Sequence, residues 1–225
     1  GSISLCTSRP EVCDYLRGAM KHLFTECPLL AGILSITRSE NPTNCASQAR
    51  KKECPRCSLR SSEEIIAEVV NTFTEGMSEA NPKSRHLAHS WAWEESWIDN
   101  IVSRLKGSVT VLAVSEWGVQ TDCEGVKSEV IDYSISHPGP GRYARTVWNA
   151  GASAGLRNAA KIQVNNSWEL SAIPYLPVFD LIREHMDRLR RIGIDDYMLC
   201  WTHGGGPSPL LALFSRSKEE VLRSL

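Results

Sequence analysis

Short apolar runs alternate along this chain with longer segments in which apolar residues recur at helical spacing, and this alternation constrains the fold more than any other feature. Strands that alternate with helices of this length form right-handed βαβ units around a parallel sheet. Six runs are predicted strands, at residues 3–6, 32–36, 86–91, 109–114, 160–164 and 197–201. The sequence therefore predicts an α/β protein.

The segments between the predicted strands carry helix start and stop signals. Ser8 with Glu11, and Ser61 with Glu64, have the spacing of a capping box. Pro177 and Gly193 bracket a strongly amphipathic segment. Helices are predicted at about 8–28, 61–81, 97–105, 146–159, 177–193 and 218–225. Between 122 and 142 the sequence predicts only a turn cluster at 137–141.

A doubly wound sheet and a barrel both satisfy this order of elements. The sequence contains neither G-x-G-x-x-G nor G-x-x-x-x-G-K-[ST], the usual phosphate-binding motifs of dinucleotide and nucleotide folds. Four predicted strands instead end in Glu, Trp, Asn or His, and barrel active sites are assembled at such strand ends. We therefore expect a (β/α)8 TIM-barrel type of fold, present as a single domain over residues 1–225 with about six βα units, the first two apparently missing.

Charge and hydropathy argue against a nucleic-acid partner and against a membrane-spanning segment. The 25 basic and 26 acidic residues give a net charge of −1, and no long basic run is present, so a nucleic-acid partner is not expected. No stretch approaches the ~18 to 20 apolar residues that a membrane span requires. The first residues have no signal-peptide pattern, which leaves the compartment open.

Three carboxylates follow predicted strands, namely Glu40, Glu116 and Glu169. Glycoside hydrolysis needs two carboxyl groups, one protonated and one ionised. Indole faces stack on sugar rings, and amide, guanidinium and imidazole groups bind sugar hydroxyls. Candidate substrate-binding residues near the strand ends are Arg38, Trp91, Trp93, Trp117, Asn165, Asn166, Trp168, Trp201 and His203. The alternatives are that these Glu residues are ordinary loop carboxylates and that the Trp residues are core anchors.

A loop insertion at about 41–60 contains Cys45, Cys54 and Cys57. The C-x2-C spacing with a third nearby Cys fits three ligands of a tetrahedral zinc site. The sequence leaves the fourth ligand open among Cys6, Cys123 and a histidine. Such a zinc ion would be structural, since closed coordination leaves no position for substrate; reduced thiols and a loop disulfide are the alternatives.

Several segments resemble a known group of proteins. They are KIQVNNSWE at 161–169, SAIPYLPV at 171–178 and MLCWTHGGGPSP at 198–209, together with the Ser39–Glu40 pair and the CPRC motif at 54–57. These segments look like parts of bacterial (β/α)8 proteins that are themselves similar to glycoside hydrolase family 20 and to neighbouring hexosaminidase-type families. The resemblance covers the chain from about Leu5 to Phe214.

The resemblance implies a glycoside hydrolase that acts on a glycan, and glycans that contain hexosaminides are among the candidates. Such an enzyme needs no cofactor for catalysis. Glu40 stands where family 20 enzymes have their general acid/base, and Ser39 replaces the neighbouring Asp, so a two-carboxylate scheme is the simpler expectation. Glu169 is preferred narrowly over Glu116 as the second carboxylate. A separation of ~5 to 5.5 Å between the two carboxyls predicts retention, and ~6.5 to 9.5 Å predicts inversion.

The alternative function is a non-catalytic carbohydrate-binding barrel. An incomplete barrel exposes sheet edges, so we also expect a preceding segment or a second copy of the chain to cover them.

Overall fold

The computed structural model describes residues 4–39, 41–165, 176–200 and 208–214. The helices are α1 (Pro10–Glu26), α2 (Ser62–Ala80), α3 (Ile98–Val102), α4 (Arg142–Ser153), α5 (Phe179–Arg191) and α6 (Pro209–Ala212). The strands are β1 (Gly32–Ile36), β2 (Arg85–His89), β3 (Val109–Val114), β4 (Gln120–Cys123), β5 (Val126–Glu129), β6 (Arg157–Ile162) and β7 (Tyr197–Leu199). Short 3-10 helices cover Ser47–Glu53, Cys57–Leu59 and Glu95–Trp97. None of the described helices combines the length and the apolar character needed to cross a bilayer.

Five strands form one sheet in the order β1-β2-β3-β6-β7, and β4 pairs with β5 in a separate antiparallel hairpin. The pairings of β1 with β2, β2 with β3 and β6 with β7 are parallel. The strand order follows the chain without the reversal that marks a doubly wound sheet. The α/β class is therefore confirmed, and the sheet is consistent with part of an α/β barrel. The number of barrel units and the absence of the first two stay predictions.

The contacts of the chain group into two compact units. The first comprises Gly1–Leu112 and Val147–Asn158, and the second comprises Ala113–Thr146 and Ala159–Leu225. The expectation of a single domain over 1–225 stays a prediction.

In the first unit, α2 supplies much of the core. Its N-terminus carries the predicted capping box: Ser61 Oγ accepts from the backbone N–H of Glu64 at 3.1 Å, and the Glu64 carboxylate accepts from the backbone N–H of Ser61 at 3.2 Å. The helix packs against α1 at Gly76, where a Cβ would lie 2.2 Å from the carbonyl oxygen of Arg17. The two helix backbones therefore approach closely because position 76 has no side chain.

In the second unit, the apolar face of α5 contributes to the core through Ile182, Met186 and Leu189, all at most 1% exposed. These residues recur at helical spacing, as the sequence predicts. Gly193 lies just past the helix at φ +77°, a conformation that glycine adopts without strain.

The structure corrects four sequence-based expectations. Residues 4–6 form only an isolated bridge, Leu5 with Asn44, because Asn44 belongs to a loop and not to a neighbouring strand. The Ser8–Glu11 capping box does not form: α1 begins at Pro10 with Arg9 as its N-cap. The β4–β5 hairpin, almost wholly exposed, was not predicted. Helix α4 begins at Arg142, earlier than expected.

Candidate functional site

The carboxylate of Glu116 lies in the second unit immediately beyond β3. Its side chain is 0% exposed. Oε1 accepts a hydrogen bond from the backbone N–H of Gln163 at 3.3 Å, just past β6. The backbone N–H of Ser115 donates to the carbonyl oxygen of Lys161 at 2.9 Å, so the two strands stay paired up to this point. The carboxyl ends of neighbouring parallel strands therefore meet at Glu116, where α/β folds build their sites.

His185 of α5 approaches Glu116, with Nδ1 3.8 Å from Oε1. The backbone N–H of Gly139 donates to Nε2 at 3.1 Å, and Ser115 Oγ lies 2.8 Å from the same nitrogen. Because a backbone N–H can only donate, Nε2 is an acceptor and the proton of the neutral ring is on Nδ1. Burial lowers the pKa of His185 to about 3, and the charge of Arg188 acts in the same direction. At neutral pH, Glu116 therefore faces a neutral imidazole N–H.

A buried lysine lies in the same unit. Lys161 of β6 is 0% exposed, and its Nζ lies 3.5 Å from the ring centroid of Tyr133. Burial lowers the pKa of Lys161 to about 7, against the opposing effect of the charges on Asp132, Glu116 and Cys200. Burial raises the pKa of Asp132 to about 6, and the charge of Lys161 partly offsets this. One amine and two carboxyls thus interact electrostatically, which is typical of functional sites.

Two predicted sugar-binding residues belong to the same unit as Glu116. Trp117 follows Glu116 directly, is half-buried, and stacks on Tyr143 with ring centroids 4.7 Å apart. Asn165 is 2% exposed, and its backbone N–H donates to Cys200 Sγ at 3.0 Å.

The predicted residue Arg38 lies in the first unit, just beyond β1. Its guanidinium stands 4.5 Å from the ring centroid of Trp97 and donates to the carbonyl oxygen of Ala92 at 2.5 Å and to Glu94 at 3.2 Å. A sugar hydroxyl would share Arg38 with these partners.

Trp91 and Trp93 also lie in the first unit, just beyond β2. Trp91 is half-buried, and its backbone N–H donates to His89 Nδ1 at 2.9 Å. Trp93 is 2% exposed, and its indole N–H donates to Thr37 Oγ1 at 3.1 Å. In this structure the Trp93 ring lies in the core.

Six of the predicted site residues lie outside the described part of the chain: Glu40, Asn166, Trp168, Glu169, Trp201 and His203. The convergence of Glu40 and Glu169 with Glu116 therefore stays a prediction. The sequence reasoning did not single out Lys161, Asp132 or His185 as site residues. The available signal was a lysine between the apolar residues Ala160 and Ile162 of a predicted strand.

The first unit also gathers the three predicted metal-binding cysteines, Cys45, Cys54 and Cys57, together with Cys6. The four Sγ atoms lie within 4.8 Å of one another. The sulfur of Cys6 is 3.4 Å from that of Cys57 and 3.6 Å from that of Cys54. All are free thiols, so the structure holds no loop disulfide here, since a disulfide bond is ~2.05 Å long. These four sulfurs can bind a metal ion.

The local electrostatics of this cluster differ between its cysteines. Backbone N–H groups of Cys57 and Arg56 lower the pKa of Cys54 to about 6. Burial raises the pKa of Cys45, and its neighbours Cys57 and Cys6 act in the same direction. Sets of four thiolates in tetrahedral geometry select zinc or iron.

Comparisons with known proteins give little beyond this geometry. No family profile and no curated protein sequence matches the chain. The crystal structure of a monomeric beta-xylosidase from Caulobacter crescentus CB15 is similar to it with a TM-score of 0.40 and 14% sequence identity. The alignment covers 88% of this chain and 40% of the xylosidase chain. A similarity this weak carries no argument about function, and nothing in the comparisons supports family 20 in particular.

Proposed function

We propose that this protein is a glycoside hydrolase that cleaves a glycan, with hexosaminide-containing glycans among the candidates, by a two-carboxylate mechanism in which Glu116 takes part. The observation that carries the proposal is the position of Glu116 beyond β3, where the carboxyl end of β6 meets it. This mechanism needs no cofactor.

Two neighbouring residues and one backbone group act on the buried carboxylate of Glu116. Oε1 accepts from the backbone N–H of Gln163, and Nδ1 of His185 lies 3.8 Å from the same oxygen. Lys161 adds a positive charge whenever its amine is protonated. The hydrogen bond and a positive charge on Lys161 favour the charged form of this carboxyl group, whereas its burial opposes it. An ionised carboxylate is what the nucleophile or the water-activating base of a glycosidase requires.

The protonated partner is proposed to be Glu40, the general acid/base that the sequence resemblance implies, with Glu169 as the other candidate for the second carboxylate. Protonation of the leaving oxygen needs a carboxyl whose pKa is raised relative to its ionised partner.

Carbohydrate binding is proposed to use the predicted indole, amide, guanidinium and imidazole groups near the strand ends, apart from Trp93, whose ring lies in the core. Trp117 is the described candidate nearest to Glu116 in the chain. A non-catalytic carbohydrate-binding protein would keep these groups without a competent acid and base, and remains the alternative function. We also propose that a second copy of the chain, or a preceding segment, covers the sheet edges.

A panel of aryl glycosides and a labelled glycan array test the proposed function. Hydrolysis by the wild-type chain, lost in Glu40→Gln and Glu116→Gln while glycan affinity is kept, supports the enzyme. Loss in Glu169→Gln and not in Glu116→Gln would assign the second carboxylate to Glu169. Glycan binding without turnover on any glycoside identifies the binding protein instead. Neither binding nor turnover on the array and the panel rejects both functions.

We also propose that the predicted cysteines Cys45, Cys54 and Cys57 hold a structural zinc ion. Sulfur donors and a C-x2-C turn are typical of such sites. The loop from 41 to 60 contains only two short 3-10 helices, and a metal would stabilise it. Metal analysis of the purified chain tests this: close to one zinc per chain is expected, and no metal at any zinc supply would reject it.

A further inference from the structure

We propose that Cys6 is the fourth ligand of the metal centre, which makes it a closed site of four cysteine sulfurs that fastens the segment before α1 to the 45–57 loop. This inference rests on the structural zinc proposed above.

The sulfur positions fit tetrahedral coordination. With Zn–S bonds of about 2.3 Å, the sulfurs of a tetrahedral four-thiolate zinc site lie ~3.8 Å from one another. The sulfur of Cys6 lies 3.4 Å from that of Cys57 and 3.6 Å from that of Cys54, and all four sulfurs lie within 4.8 Å of one another. Small side-chain movements would bring the set to ideal geometry.

Cys6 is held at the cluster by contacts on both sides of it in the chain. Leu5 forms a parallel bridge with Asn44, next to Cys45. On the other side, Ser8 Oγ lies 3.1 Å from Cys57 Sγ. The backbone therefore places Cys6 at the cluster without depending on a bound metal.

The neighbours of the cluster have the chemistry of an outer coordination shell. Arg60 Nη1 donates to Ser8 Oγ at 2.9 Å, and it also pairs with Glu68. Since Arg has only donors, Ser8 accepts from Arg60 and keeps its own hydroxyl hydrogen for Cys57 Sγ. Four thiolates around Zn²⁺ leave a net charge of −2, and Arg60, which also pairs with Glu68, places one positive charge near the cluster. Outer-shell contacts of this kind orient and stabilise metal ligands.

The other two candidates for the fourth ligand fit less well. Cys123 is exposed, and it belongs to the β4–β5 hairpin of the second unit. Among the described residues, the group of metal-binding side chains around Cys45 contains no histidine. The contacts of the Ser8 hydroxyl with Cys57 and Arg60 also explain why Ser8 does not cap α1.

X-ray absorption at the metal edge counts the ligands directly. The wild-type chain, purified with its metal, is expected to show four sulfurs at ~2.3 Å. Cys6→Ser is expected to show three sulfurs and one lighter atom, with zinc affinity lower by more than about tenfold. Cys123→Ser, which replaces an exposed cysteine outside the cluster, is the matched control and should keep four sulfurs.

The outcomes separate this inference from the zinc proposal on which it rests. Three sulfurs in the wild type, unchanged in Cys6→Ser, would overturn the role of Cys6 and leave a structural metal. A wild type that takes up no metal would overturn both. Four sulfurs around iron would support Cys6 as the fourth ligand and reject zinc. If Cys6→Ser does not fold, the wild-type sulfur count and Cys6→Asp, which offers a carboxylate oxygen in place of the thiolate, decide the question.

Discussion

His185 Nδ1 lies 3.8 Å from Glu116 Oε1, and the two side chains are 3% and 0% exposed. Because Gly139 donates to the other ring nitrogen, the proton of the uncharged His185 ring is on Nδ1, the nitrogen nearer to the carboxylate. The two side chains therefore form no ion pair at neutral pH.

The tautomer of His185 is the first prediction. Since burial lowers its pKa to about 3, the ring should stay neutral with its proton on Nδ1 from pH 8 down to pH 5. Long-range ¹H–¹⁵N correlation spectra distinguish the two ring nitrogens. A protonated ring at pH 5.5, or a proton on Nε2, would contradict the hydrogen-bond network described here. The exposed His22 provides a reference signal in the same spectrum.

The buried imidazole of His86 should make the fold less stable in acid. Its ring is 1% exposed between Ser35 and Thr74, and burial lowers its pKa to about 4. Between pH 6.5 and 4 the unfolded chain therefore binds a proton that the folded chain does not. The free energy of unfolding should fall, as the pH is lowered through this range, by up to about 1.4 kcal/mol per pH unit from this residue.

Urea titrations across pH 4 to 8 measure this effect, and NMR of His86 assigns it. His22→Asn, which removes an exposed imidazole, should show the same pH dependence as the wild type. A His86 ring that titrates near 6.5 in the folded protein would contradict the prediction.

The buried amine of Lys161 should affect the stability of the fold at alkaline pH. Its folded pKa of about 7 lies below the unfolded value of ~10.4, so between these limits the unfolded chain binds more protons. The stability of the wild type relative to Lys161→Met should therefore rise between pH 7 and 10, by up to about 1.4 kcal/mol per pH unit. Denaturant midpoints of the two proteins check the difference. The exposed Lys83→Met should run parallel to the wild type, and parallel curves for Lys161→Met would show that the amine is not buried.

Replacing glycine by alanine should change the free energy of unfolding in opposite directions at positions 76 and 18. A Cβ at Gly76 would meet the carbonyl oxygen of Arg17 at 2.2 Å, whereas a Cβ at Gly18 meets nothing within 4 Å. Gly76→Ala should therefore lower the free energy of unfolding by about 1–3 kcal/mol. Gly18→Ala should raise it by about 0.5–1 kcal/mol through helix propensity. Thermal and urea unfolding compare them, and a stabilised Gly76→Ala would contradict the close approach of α1 and α2.

The sequence predicted those features that depend on local patterns. Ser61 and Glu64 form their capping box because both partners lie in the first turn of the same helix. Ser8 and Glu11 have the same spacing, yet Ser8 contacts Arg60 and Cys57, about fifty residues away. Such contacts between distant segments have no signature in local spacing.

In the candidate site too, the features set by local patterns were predictable and those set by distant contacts were not. The end of β3 at Val114 was predicted from β-branched residues, which placed Glu116 just beyond a strand. His185, Lys161 and Asp132 join Glu116 only through the packing of α5, β6 and the segment after β5. The fourth cysteine, Cys6, was left open for the same reason, because its approach depends on the pairing of Leu5 with Asn44.

The central claim is that Glu116 is a catalytic carboxylate, and its most direct test is the kcat/KM of Glu116→Gln on the best glycoside substrate of the wild type. Gln keeps the size of the side chain and removes its charge, so we predict a loss of about 10²- to 10⁴-fold with glycan affinity retained. The matched control, Glu124→Gln in the exposed β4–β5 turn, should keep wild-type activity. A folded Glu116→Gln protein with the same kcat/KM as the wild type would contradict the account.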